Sequence, residues 1–172
     1  MKVTRRNFSK LAAAATIGVG AGLSFSVSAA ALAAERPGHD NQPLFLKSQD
    51  LKWQQLIPDL GEASPEITIL RVDPATQATH LMIRNPKKMH VPRHWHSANE
   101  THTVLAGSMV FECDGQRETL GPGGFNYIPS KMVHQAWLPD NGWVLITVDA
   151  AWDINWVDGP PGPEVIGKTP AK

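Results

Sequence analysis

From Lys52 onward the chain is cut into short runs rich in Val, Ile, Thr, Phe and Trp, punctuated by Gly, Pro and Asp. The clearest read EITILRVD, ATHLMIRN, ETHTVLAG, SMVFECDG, GFNYIPS, VHQAWLP and GWVLITVD. They recur at about ten-residue spacing, and no long helical period interrupts them. Fourteen glycines and fourteen prolines leave little room for a long helix in any case. Many short strands at even spacing predict an all-β domain, an antiparallel sandwich or barrel. At 172 residues the chain is long enough for one domain with a real core. The strand-rich part, residues 51–158, is expected to be that domain. An N-terminal extension, 34–50, precedes it, and a tail rich in Pro and Gly, 159–172, is expected to be flexible. Within CDGQRE, Asp114 and Gly115 suit a two-residue type I′ hairpin turn.

The first 33 residues do not fit that pattern. TRRNFSK is followed by a weakly hydrophobic run of Ala, Gly and Ser, ending in the small-residue site Ala31-Leu32-Ala33. Charged n-region, apolar h-region and A-x-A site in that order predict a signal peptide over 1–33, cleaved near Ala33/Ala34. A retained membrane anchor is the alternative, since Leu11 to Ala34 is long enough to span a bilayer. The paired Arg5-Arg6 resembles the twin-arginine export signal, with Thr4, Phe8 and Lys10 also fitting and Ser9 in place of the usual leucine. An ordinary Sec signal is the other possibility. The resemblance implies export of an already folded protein to the periplasm by the twin-arginine machinery, and no membrane attachment after cleavage. The leader carries four basic residues and no acid. Without it the chain has twelve basic against sixteen acidic residues, a net charge of −4. No basic patch survives, which argues against a nucleic-acid partner. Cys113 is alone, so no internal disulfide exists. Its parity with Met109 and Phe111 predicts a small buried hydrophobe.

Four of the seven histidines fall within HVPRHWHSANETHTVLAG, around Glu100. In a strand, alternate side chains share a face, so His94 and His96 point the same way. Glu100 has the same parity if the strand continues through or around Ser97–Asn99. A neighbouring strand, YIPSKMVHQAW, offers His134. Imidazoles with a carboxylate make a transition-metal set. No thiolate lies near, as a structural zinc site would want. His102 also has the inward parity. It is read either as an acid–base or ligand-orienting group beside the metal or as a satisfied core histidine. His90, His80 and His39 are read as surface or linker residues. Arg93, Trp95 and Trp137 are out of phase with the ligands and are expected on the outer face, where the tryptophans would suit a homodimer.

These residues resemble the two motifs of the cupin superfamily. His94, His96, Glu100 and Gly107 fit the first, H-x-H, E and G at its usual spacings. Gly123, Pro129 and His134 fit the second, but Lys131 stands where glycine is usual. Lys88 and Leu138 likewise replace a glycine before the first motif and an asparagine after the second. The departures fall at turns, not at ligands, and the resemblance covers roughly Ala78 to Ala150.

The resemblance implies a jelly-roll-like β-barrel holding a metal on His94, His96, Glu100 and His134, with two coordination positions open. It favours an oxygen-dependent oxidoreductase, dioxygenase-like, acting on a small organic molecule, with Glu100 able to accept a proton; His102, by its inward parity, is the second catalytic candidate. A metal-dependent isomerase or hydrolase, and a non-enzymatic periplasmic protein that binds or senses a small ligand, are the competing readings. Export after folding would load the site from the cytoplasmic pool, which favours Fe²⁺ or Mn²⁺ over Zn²⁺, Ni²⁺ or Cu²⁺ despite the affinity order.

Overall fold

The structure is a computed structural model that describes residues 42–171. The expected signal peptide and residues 34–41 of the N-terminal extension, including His39, lie outside the described residues. Strands β1 (Gln54–Gln55), β2 (Glu66–Val72), β3 (Thr79–Asn85) and β4 (Met89–Trp95) come first. They are followed by β5 (Glu100–Ala106), β6 (Met109–Cys113), β7 (Gln116–Leu120) and β8 (Phe125–Ile128). Strands β9 (His134–Leu138), β10 (Gly142–Val148) and β11 (Asn155–Trp156) complete the set. Among the described residues only short 3₁₀ turns accompany them, at Ser48–Asp50, Pro58–Ala63 and Pro163–Val165.

The strands form two antiparallel sheets facing each other, ordered β1-β2-β3-β10-β5-β8 and β11-β4-β9-β6-β7. This is the expected cupin-type β-sandwich. Alternation builds it. Along β10, Val144, Ile146 and Val148 are buried while Trp143, Leu145 and Thr147 are half-buried. On β3, Leu81 and Ile83 point inward between Met82 and Arg84. Leu81, Met89, Val104, Met109 and Val148 are wholly shielded and form the centre of the core. Burying side chains of this size from both sheets is the main force holding the layers together.

The turns show how the punctuation works. Asp114 and Gly115 both have positive φ, 51° and 73°, and join β6 to β7 with Cys113 opposite Gln116. That is the predicted I′ hairpin. Cys113 itself is half-buried at the strand end rather than fully buried, because the hairpin opens there to solvent. Its thiol is pushed upward by burial and then by Asp114.

Residues after Asp158 are not wholly free. Val165 is buried in the core and Ile166 bridges to Met89, so the tail docks through the two apolar residues in PEVIG.

Lys131 takes the left-handed conformation, φ 64°, in the turn between β8 and β9. A Cβ there is strained by about 1–2 kcal/mol. Glycine lifts the strain but adds unfolded-state entropy. Lys131→Gly should therefore stabilise the protein by up to about 1 kcal/mol. Urea unfolding measures this, and a lower midpoint contradicts it.

Candidate metal centre

The two halves of the histidine cluster come from opposite sheets. β4 ends at Trp95, and Ser97, Ala98 and Asn99 carry the chain across to β5. The expectation that one strand runs on from His96 to Glu100 is thus corrected. The reason is local. Ser97 donates its N–H and hydroxyl to the Asp153 carboxylate, at 2.8 and 2.6 Å. Asn99 donates its N–H to Asp149 at 3.0 Å and accepts from the Ser130 N–H at 2.9 Å. Side chains thus take the bonds that a ladder partner would otherwise make, and the strand breaks.

Convergence survives by another route. A register shift between Val91 and His94 sets His94 directly opposite His134 on β9. His96 follows just past the strand end. Glu100 opens β5 in the facing sheet, and His102 is the next residue on its inner side. All five are buried, with Glu100 only 1% exposed.

Each candidate histidine is held by its Nδ1. His94 donates to the Pro92 carbonyl at 2.7 Å and His134 to the Met132 carbonyl at 3.0 Å. His96 donates to the Asp153 carbonyl. Backbone carbonyls accept only, so the proton must sit on Nδ1 and the Nε2 lone pair is free. These three histidines offer ligand atoms that all lie within 4.8 Å of one another, a set that could hold a metal ion.

Glu100 Oε2 lies 3.1 Å from His96 Nε2 and 3.5 Å from His134 Nε2. In the neutral rings, whose proton sits on Nδ1, neither nitrogen has a proton to give, so these contacts are lone pair against lone pair. Glu100 Oε2 and His134 Nε2 are indeed buried without a hydrogen-bond partner. A cation among them resolves the repulsion and satisfies both atoms. The donor set therefore fits a transition metal, with borderline nitrogen ligands and one hard oxygen beside them.

The electrostatics fit that state at His94 and Glu100, and at His96 they favour the imidazolium cation, whose proton a metal would have to displace. Burial, then His134 and His96, hold His94 far below the usual histidine range, so it is neutral as a ligand must be. Burial opposes charge on Glu100, but His102 and His96 outweigh it and keep the carboxyl well below its usual range. On His96, burial acts downward, yet Glu100 more than offsets it and the net shift is upward. Burial also lowers His102, with Glu100 countering in part.

His102 Nδ1 bonds the Asn126 side-chain oxygen at 2.8 Å, and its Nε2 faces Glu100 Oε2 at 3.5 Å. It is therefore in contact with the cluster. The outer-face assignments also stand. Arg93 is exposed. His90 stacks on Trp137, with ring centroids 4.8 Å apart, and bonds Gln135 at 2.8 Å. His80 lies half-buried beside Thr147. Asn126, Trp152 and Asp153 were not foreseen. Asn126 had a readable signal, because it lies in GFNYIPS on a strand that pairs with β5. Asp153 acts through a backbone oxygen, which leaves no side-chain signature.

The cluster opens on a partly open cavity of about 70 Å³ between the sheets. Aliphatic and aromatic side chains from both sheets and from the Leu56–Ile57 and Trp152–Trp156 segments form the rest of its wall.

Residues 80–148 match the family model described as Cupin domain. No curated protein matches the chain. Among solved structures, KdgF from Halomonas sp. is 17% identical with a TM-score of 0.52, covering 68% of this chain and 98% of that one. A candidate acetylacetone dioxygenase from Methylibium petroleiphilum PM1 is 14% identical with a TM-score of 0.56, covering 71% and 87%. The polyketide cyclase RemF from Streptomyces resistomycificus is 19% identical with a TM-score of 0.52, covering 71% and 90%. The likenesses show a shared fold, and with the domain match they support the cupin superfamily.

Proposed function

We propose that this protein is an exported metal-dependent oxidoreductase, dioxygenase-like, acting on a small organic molecule. The observation that carries the reading is the convergence of three Nδ1-anchored histidines and an unpartnered carboxylate at the wall of an apolar cavity. His94, His96, His134 and Glu100 would hold the ion, and a divalent metal there would supply Lewis acidity and, if iron, a redox partner for O₂. The apolar walls exclude water and strengthen every charge interaction inside. Glu100 would accept a substrate proton on the carboxylate oxygen that the ion does not engage. His102, steered by Asn126, would position that carboxylate and relay the proton. Among the solved relatives the fold serves different chemistries, so the reaction class rests on the site and not on the fold.

The test is oxygen uptake by Fe²⁺-loaded protein across a panel of neutral enols and phenols. Uptake with product formation is expected for at least one compound. His102→Phe should keep its iron and lose about a hundredfold or more in turnover. Substrate conversion without oxygen would move the protein to the isomerases or hydrolases. Ligand binding with no conversion at all would make it a binding protein.

The leader motivates a linked proposal, export to the periplasm by the twin-arginine route. Changing Arg5 and Arg6 to Lys keeps the charge and removes the guanidinium groups. Precursor should then accumulate in the cytoplasm, and an unchanged periplasmic yield refutes the route. Loading before export would leave Fe²⁺ or Mn²⁺ in the site. Elemental analysis of protein from its own periplasm tests that, and near-full copper or zinc overturns it.

A further inference from the structure

Three residues on the cavity wall carry a buried side-chain atom without a partner: Glu100 Oε2, His134 Nε2 and Trp152 Nε1. A metal accounts for the first two. It cannot account for the third, because an indole N–H is a donor only. Trp152 is 2% exposed and its ring stacks on His96, with centroids 5.9 Å apart and planes 29° apart. It therefore stands beside the cluster and follows directly on the segment that turns the chain toward it. Buried donors are nearly always paired, and this one lines a cavity.

The remaining wall constrains what can enter. Among the described residues, the titratable groups lining the cavity are the four histidines and Glu100 alone. No lysine or arginine reaches it to meet a carboxylate or phosphate, and no second carboxylate to meet an ammonium. Met89, Met109, Phe111 and Leu138 are among the apolar side chains that line it, Phe111 packing against His102 with ring centroids 5.0 Å apart. A charge buried there would be unpaired and costly. The space, about 70 Å³, is several times the roughly 10–15 Å³ that one water requires.

We infer that the cavity takes a compact, uncharged molecule with a single oxygen-bearing head, the head lying at the metal centre and accepting a hydrogen bond from Trp152 Nε1–H. The apolar remainder of the molecule packs against the methionines and Phe111. This inference rests on the metal reading above, and Trp152 acts in it as a specificity-determining residue.

Two isosteric probes decide it. Isohexanohydroxamic acid and succinohydroxamic acid share one metal-binding head, and the first carries methyls where the second carries carboxylate oxygens. Both are titrated calorimetrically into the mature protein loaded with Zn²⁺. The apolar probe should bind at least about tenfold more tightly. Its binding should move the Trp152 indole N–H resonance downfield. Trp152→Phe, which keeps an aromatic ring against His96, should retain zinc and weaken that probe about fivefold. Equal affinities, or a preference for the charged probe, overturn the uncharged class. An unmoved indole resonance overturns the donor role whether or not the variant folds. Zinc held without uptake of either probe overturns this inference alone, whereas failure to hold zinc overturns the metal reading as well.

Discussion

His134→Ala should cut metal affinity by more than about a hundredfold, beyond the upper end seen when only an outer-shell partner is lost. His134 sits opposite His94 across β4 and β9, its Nδ1 tied to the Met132 carbonyl at 3.0 Å. Alanine removes one of the three convergent Nε2 atoms and leaves the other two without the geometry of a closed set. The fold should survive, because the apolar core around Leu81, Val104 and Met109 is untouched. Calorimetric titration of apoprotein with Zn²⁺ or Mn²⁺ measures the loss, and a cooperative thermal transition checks the fold. His90→Ala is the control. It lies on the outer face against Trp137 and should leave metal binding unchanged. Equal loss in both variants would mean that the effect is general destabilisation and not ligand removal.

The second large effect is on stability. Gly107 links β5 to β6 with φ +79°, and a Cβ built there would stand 2.5 Å from Pro139 Cγ and 3.4 Å from Gly142 Cα. Two penalties add. The left-handed backbone costs any L residue about 1–2 kcal/mol, and forced overlap in a packed site costs about 1–3 kcal/mol more. Gly107→Ala should therefore lose about 2–5 kcal/mol, a large share of the total stability of a typical domain. Pro139 cannot retreat freely, since the Asn85 side chain donates to its carbonyl. Urea unfolding measures the loss, and a change below about 0.5 kcal/mol, the usual surface-substitution range, contradicts the account. Lys131 carries the opposite lesson. Its turn has positive φ but a side chain that is exposed, so the motif's glycine could be exchanged there at a bearable strain.

Much of this architecture was legible because alternation and punctuation are local signals. β2, β3, β5, β6, β8, β9 and β10 each correspond to a run that could be read directly, and Asp114–Gly115 named its own turn. The two-residue strands β1 and β11 were not legible, since so short a pairing is decided by the partner and not by its own residues. The site was legible in its members but not in its construction. Spacing suggested that His94, His96 and Glu100 share a face of one strand. They meet instead because the chain changes sheets at Ser97–Asn99, under the control of Asp149 and Asp153 some fifty residues away. Such contacts pair side chains with backbone across the fold and leave no periodic trace. Trp152 was invisible for the same reason. Its part depends on a cavity formed only when both sheets close. In the tail, the Pro- and Gly-rich composition hides the two apolar residues, Val165 and Ile166, that dock it.

The central claim is that one metal ion sits where the three Nε2 atoms and Glu100 Oε2 converge. Anomalous diffraction at the absorption edge of the metal carried by the native protein tests it directly. The account predicts a single strong peak within about 2.0–2.3 Å of Nε2 of His94, His96 and His134 and of Glu100 Oε2. A map with no peak in that cavity from protein with one metal per chain, or a peak held by other residues, would contradict it.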